Sequence, residues 1–107
     1  MASQIYLYLS TTGHRSGKRH EIEIWYVAHE GCYYLVSEKG EAAHWVRNIR
    51  ADPAVRFRLG RGWDDETEYM EGSASFPVDA AVIAAVKAKM DAKYSWSNGL
   101  VVAVCGN

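Results

Sequence analysis

Leu9-Ser10-Thr11-Thr12-Gly13-His14-Arg15-Ser16-Gly17-Lys18-Arg19-His20 separates two apolar runs. On its near side Gln4 to Ser10 alternates and is rich in Ile, Tyr and Leu. On its far side Ile22, Ile24 and Tyr26 point one way while Glu21, Glu23 and Trp25 point the other. A period of two on both sides of a glycine-bearing turn predicts a β-hairpin whose second strand runs from His20 to His29. Glycines let a backbone approach a ligand closely, and the amides of such a turn form a concavity suited to an anion. Arg15, Lys18 and Arg19 add fixed positive charge, and His14 and His20 add more when protonated. The stretch therefore reads as a phosphate-binding hairpin, with a solvated surface turn as the alternative. Gly13 to Lys18 resembles a P-loop but fails its requirements. The glycines are one residue too close, Arg19 replaces the Ser or Thr, and a strand pattern follows where a helix is needed.

Working outward, Glu30-Gly31 predicts a tight turn into a third strand, Cys32 to Ser37. The period then changes: Ala42, Trp45, Val46 and Ile49 fall at i, i+3, i+4 and i+7, a short amphipathic helix stopped by Asp52-Pro53. Val55, Phe57 and Leu59 alternate with Arg56 and Arg58 in a fourth strand, and a fifth is expected from about Trp63 to Phe76. Asp79 is placed to cap a second helix whose buried face carries Val82, Val86 and Met90. Tyr94 to Gly99 reads as a loop, and the unbroken apolar run Leu100 to Cys105 as a strand covered on both faces. The order β-β-β-α-β-β-α-β predicts a mainly β protein, a barrel of about six antiparallel strands with two helices attached.

A chain of 107 residues with 49% hydrophobic side chains is expected to form a single domain spanning residues 1–107. A net charge of −1 supplies no global basic field for nucleic acid or anionic lipid, so any anion site is local. No apolar run is long enough for a transmembrane helix. Met1-Ala2-Ser3-Gln4 lacks the basic start and apolar core of a signal peptide, so the expected compartment is the cytoplasm. Cys32 and Cys105 read there as isolated, reduced thiols rather than a disulfide framework.

Several runs together resemble the deazaflavin (F420)-dependent nitroreductase family. They are Thr11-Thr12-Gly13-x-x-Ser16-Gly17-Lys18, then Trp25-Tyr26-Val27, then Tyr34-Leu35-Val36-Ser37-x-Lys39-Gly40. The helix His44-Trp45-Val46-Arg47-Asn48-Ile49-Arg50-Ala51-Asp52-Pro53 and the closing Val101 to Cys105 continue the pattern. The resemblance implies a split β-barrel of the pyridoxamine-phosphate-oxidase-like, flavin-binding type, a homodimer, and F420 as cofactor with FMN as the alternative. It implies that Arg15 and Lys18 sit near the cofactor phosphate or acidic tail, with His14 and His20 standing where the family usually carries arginine. Ile24, Trp25 and Tyr26 would line the ring system, with Ser37 and Lys39 in the following turn and Trp45 and Asn48 on the helix. The acceptor would be a small quinone-like, nitro-bearing or conjugated molecule. Tyr94 would donate a proton to the reduced substrate, or else pack the end of the second helix.

Other constellations carry less. Arg56, Arg58 and Arg61 followed by Asp64, Asp65, Glu66 and Glu68 read as cross-strand charge pairs, with a second anion patch as the alternative. His29 and Cys32 have metal-like spacing but lack a second paired motif, so no metal is expected. The rival to an oxidoreductase is a non-catalytic barrel that holds a small ligand or none.

Overall fold

Alternation decides the first hairpin, and the computed structural model, which describes residues 6–63 and 67–107, shows it as β1, Tyr6–Thr12, and β2, Arg19–Trp25. They pair antiparallel from Tyr6 opposite Trp25 to Thr12 opposite Arg19. The expected strand from His20 to His29 is broken at Tyr26. Its second part, β3 (Val27–His29), leaves β1 and pairs with β4 (Cys32–Ser37) across the Glu30-Gly31 turn. One bent ribbon thus joins two parts of the sheet.

After β4 come a 3-10 turn (Gly40–Ala42) and helix α1 (His44–Ala51), which ends at Asp52 before Pro53. Strand β5 (Ala54–Gly60) pairs with β1 on the side opposite β2. The expected long fifth strand is shorter: β6 is Met70–Ser75, and the part of the expectation on residues 64–66 lies outside the described residues. Helix α2 (Ala80–Tyr94) starts as expected, with Asp79 Oδ1 accepting from the Ala81 amide at 2.8 Å. Tyr94 is the last residue of that helix rather than part of the following loop.

Strand β7 (Leu100–Gly106) completes a seven-stranded antiparallel sheet in the order β2-β1-β5-β6-β7-β4-β3 among the described residues. The count exceeds the expected six because the ribbon bends into two strands. β7 lies inside the sheet, and its apolar run faces both ways. Val102 and Val104 join Leu7, Leu9, Leu35, Phe57 and Ile49 in the concave core. Val101 packs with Val36, Val86 and Met90 under α2. Curling of the sheet around the first core makes the split barrel.

Two expectations change. Arg56 pairs with Glu71 on β6 (Nε to Oε2 2.7 Å), while Asp64, Asp65 and Glu66 lie outside the described residues. Arg58 is buried, its guanidinium 4.1 Å from the centre of the Tyr8 ring. The cysteines also differ from expectation. Register puts Cys32 at the start of β4 opposite Cys105 on β7, with Cα atoms 4.6 Å apart, and the two form a disulfide. The pairing was hidden because adjacency across a ladder depends on strands joined through α1 and α2, which spacing along the chain does not report.

Candidate functional site

Bending at Tyr26 creates the site. Before the bend the ribbon is held by β1, and after it by β4, so β2 and the far end of β4 diverge and leave a cleft. The C-terminal end of α2 fixes that bend. The Tyr94 hydroxyl donates to the Tyr26 carbonyl (3.1 Å) and accepts from the Tyr26 amide (3.3 Å). Lys93 Nζ donates to the same carbonyl at 3.0 Å and lies 3.8 Å from the centre of the Tyr26 ring. Burial lowers the Lys93 pKa and pushes that of Tyr94 up to about 12. The Tyr94 ring stacks on Trp25 at 4.5 Å between centroids, and Trp96 meets Trp25 edge-on at 6.2 Å.

Two cavities occupy the cleft. The first, about 810 Å³, runs between β2 and the end of β4. Its apolar walls come from Ile22, Ile24 and Trp25 on one side and Val36, Trp45 and Trp96 on the other. Glu38 and Lys39 stand at its lip, beside Ser37, whose hydroxyl donates to the Gly40 carbonyl at 3.1 Å. The second, about 710 Å³, lies beneath the hairpin between β1 and β2 and is walled by Thr11, His14, Arg15, His20, Arg47 and Asn48. Both are lined by Ile22, His44 and Trp45, so an aromatic cavity and a cationic one adjoin across these residues, together called the groove below.

Asn48 organises the cationic end. It is buried, its Nδ2 donates to Thr11 Oγ1 at 3.0 Å, and its Oδ1 accepts from the His14 amide at 2.9 Å. The hairpin closes on itself through the Gly13 amide to the Lys18 carbonyl (2.7 Å). The His20 ring and the Ser16 hydroxyl pack close over Gly13, each 2.8 Å from where a Cβ would stand, so a side chain there would push both aside. Below the hairpin, α1 begins at His44 after Ala43, which offers no side-chain cap, so its first-turn amides and dipole bring further positive potential to the groove. Asn48→Ala should lower the unfolding free energy by about 2 kcal/mol, because a buried hydroxyl and the His14 amide lose their partner. Urea denaturation of the two proteins checks this.

The residues expected from the sequence separate into four groups. His14, Arg15, His20 and Asn48 surround the cationic cavity, whereas Ile24, Trp25, Ser37 and Lys39 surround the aromatic one, and Trp45 faces both. Tyr26 is buried at the bend and Tyr94 is bonded to it. Lys18 is exposed on the hairpin and lines neither cavity. Sequence reasoning did not single out His44 and Arg47 of α1 or Trp96 of the last loop. The signal for the first two was present: His44, Arg47 and Asn48 recur at i, i+3 and i+4, a polar stripe on one helix face.

No curated protein matches this chain. Among solved structures, an F420 reductase superposes with a TM-score of 0.67 at 16% identity, over 98% of this chain and 88% of that one. The heme storage protein HutZ from Vibrio cholerae superposes at 0.77 with 14% identity, over 97% and 82%. A putative pyridoxamine 5'-phosphate oxidase from Listeria innocua gives 0.74 and 14%, over 95% and 83%. At such identities these likenesses establish the pyridoxamine-phosphate-oxidase-like fold. The sequence model of the F420H(2)-dependent quinone reductases matches residues 2–102, nearly the whole length of a chain whose groove pairs an aromatic cavity with a cationic one, and the protein belongs to that family.

Proposed function

We propose that this protein binds reduced F420 in the groove and directs hydride transfer to a small quinone-like, nitro-bearing or conjugated acceptor. The observation that carries the reading is that the two cavities adjoin across Ile22, His44 and Trp45. A planar ring with a phosphate-bearing tail suits an aromatic slot that lies beside a cluster of cations. A bound reduced deazaflavin supplies the hydride, and the chain supplies binding, orientation and charge. Trp25 and Trp45 offer flat faces to the ring, Ile24 excludes water beside it, and Lys39 at the lip favours negative charge on an acceptor oxygen. Arg15 and His14 meet the phosphate at the other end. Tyr94 acts through Trp25: its hydroxyl is engaged by Tyr26 and its ring is the support on which the tryptophan stacks.

Parallel titration with F420 and FMN, followed by visible absorbance and fluorescence quenching, tests this. F420 should bind, and Arg15→Ala should weaken it by about 1–3 kcal/mol. Lys18→Ala should have a smaller effect, since that side chain lines neither cavity. Tyr94→Phe with unchanged turnover would assign Tyr94 to support alone, whereas a fall in turnover without a change in affinity would restore it as proton donor. Saturable binding without reduction of any quinone would leave a ligand-holding barrel. The reading includes a homodimer, to be weighed by light scattering against the 12.0 kDa chain. It also includes a cytoplasmic location. No helix among the described residues is long and apolar enough to cross a membrane.

A further inference from the structure

The Cys32–Cys105 bridge belongs to a row of side chains that crosses four strands. Register sets His29 of β3 opposite Cys32 of β4, Cys105 of β7 on the other side of Cys32, and Ser73 of β6 opposite Cys105. Directly opposed residues of antiparallel neighbours share a face, with Cβ atoms about 5 Å apart, so the four stand in line. On β4 this row lies one step beyond Tyr34, which packs against the Val86 and Met90 cluster under α2. Both cysteines are half-buried. The row is open at its far end, where Ser73, Gly106 and Asn107 are exposed.

The near end is closed by a ring whose hydrogen bonding is incomplete. His29 Nε2 lies 3.2 Å from Glu30 Oε1, and a carboxylate only accepts, so Nε2 carries the hydrogen. In the neutral ring Nδ1 is then a bare acceptor. It is buried, and no donor reaches it among the described residues. Leaving a buried acceptor without a hydrogen is costly, and such exceptions in a folded protein call for a specific cause. The residue directly opposite is Cys32, which as half of a disulfide has no hydrogen to give. As a thiol it has one.

We propose that the Cys32–Cys105 pair is a thiol–disulfide exchange site for dithiols, in which His29 Nδ1 accepts the hydrogen of the Cys32 thiol once the bridge opens. The site lines neither cavity and does not depend on the cofactor reading. The open end of the row sets the direction of attack. A dithiol arriving over Ser73 meets Cys105 first: its sulfur bonds Cys105 Sγ, the bond to Cys32 breaks, and the electron pair leaves on Cys32 Sγ. Cys32 takes up the proton released by the attacking thiol and donates that hydrogen to His29. The second thiol of the reagent then displaces Cys105, which leaves with that thiol's proton. Two electrons have passed to the bridge, and the dithiol departs as its own disulfide. The fold need not open, because β4 and β7 stay paired from Tyr33 opposite Val104 to Ser37 opposite Leu100.

The full chain, equilibrated without denaturant in mixtures of reduced and oxidised dithiothreitol, tests this. Acid quenching, alkylation and mass spectrometry count the thiols, while far-UV circular dichroism reports the fold. In the wild type the count should rise from zero to two and return, with the spectrum unchanged. His29→Phe keeps a ring against Tyr34, now 5.9 Å away between centroids, but removes the acceptor. Half-reduction should then need a ratio of reduced to oxidised reagent about five- to tenfold higher, as loss of one hydrogen bond from the reduced form requires. His29→Leu should give the same shift, which keeps the test open if one variant fails to fold. His29→Asn retains a polar acceptor close to the backbone and should stay near the wild-type ratio. A purely structural histidine would not produce this order, since it supports the oxidised and reduced forms alike.

A bridge that is reduced only as the spectrum is lost would overturn the exchange site. So would two thiols that never pair under fully oxidised reagent. An equal ratio in the wild type, His29→Phe and His29→Leu would overturn the part given to His29, and the proposal with it.

Discussion

Gly99→Ala is expected to lower the unfolding free energy by about 4 kcal/mol, near the upper end for a single methyl group. Gly99 ends the loop that carries Trp96 into the aromatic cavity, immediately before Leu100 opens β7 opposite Ser37 of β4. A Cβ at this position would overlap the carbonyl oxygen of Ser37 and lie 2.7 Å from its carbonyl carbon and 2.9 Å from Val36 Cγ1. A flexible side chain could move aside, but a backbone carbonyl in a central ladder cannot. Val36 is itself held between β4 and α2, in the cluster with Val86 and Met90. Relief would therefore have to come from shifting β4 away from β7, which also shifts Ser37 and Lys39 at the lip of the groove. For a domain of this size the melting temperature should fall by roughly 15–30 °C. F420 affinity should fall as well, measured at a temperature where the variant is folded. The contrast is Gly40→Ala, where a Cβ meets open space and only the φ of +57° is strained. That change should cost about 1 kcal/mol. A Gly99→Ala protein that melts within a few degrees of the wild type would refute the close approach of the two strands.

Part of this architecture is legible in the sequence. Alternation at Ile22, Ile24 and Tyr26 against Glu21, Glu23 and Trp25 is a local property and survives folding directly. So does the run Leu100 to Cys105, whose apolar residues face the barrel core at Val102 and Val104 and α2 at Val101. The Asp79 cap is local in the same way. What escaped was set by partners distant along the chain. The alternation passes through Tyr26 without a break, so nothing in it reports that the ribbon exchanges β1 for β4 there. The stripe His44, Arg47, Asn48 could be read, but that it faces His14 and Thr11 follows only once Asn48 bonds to both. Lys18 looked equivalent to Arg15 because both lie in one cationic turn. The turn closes through Gly13 and Lys18, and its side chains then diverge, with Arg15 beside the cavity and Lys18 in solvent.

Removing the Cys32–Cys105 cross-link should also cost about 4 kcal/mol. The bridge joins residues 73 apart, and loop-closure entropy lost from the unfolded chain scales with the logarithm of that separation. Its place in the fold makes the effect readable. β4 and β7 are already paired from Tyr33 opposite Val104 to Ser37 opposite Leu100, so the folded ladder does not depend on the bridge to find its register. A double Cys→Ser variant should therefore keep its secondary structure and its cavities while unfolding at lower denaturant. F420 affinity in the native range should be nearly unchanged, which separates this variant from Gly99→Ala. Comparing urea midpoints with and without reductant, alongside a count of free thiols in the unfolded protein, makes the measurement. Two reactive thiols and a midpoint insensitive to reductant would mean that the pair stays reduced, as a reducing cytoplasm would maintain it. The stability of the sheet would then rest on the two clusters around Phe57 and Met90 alone.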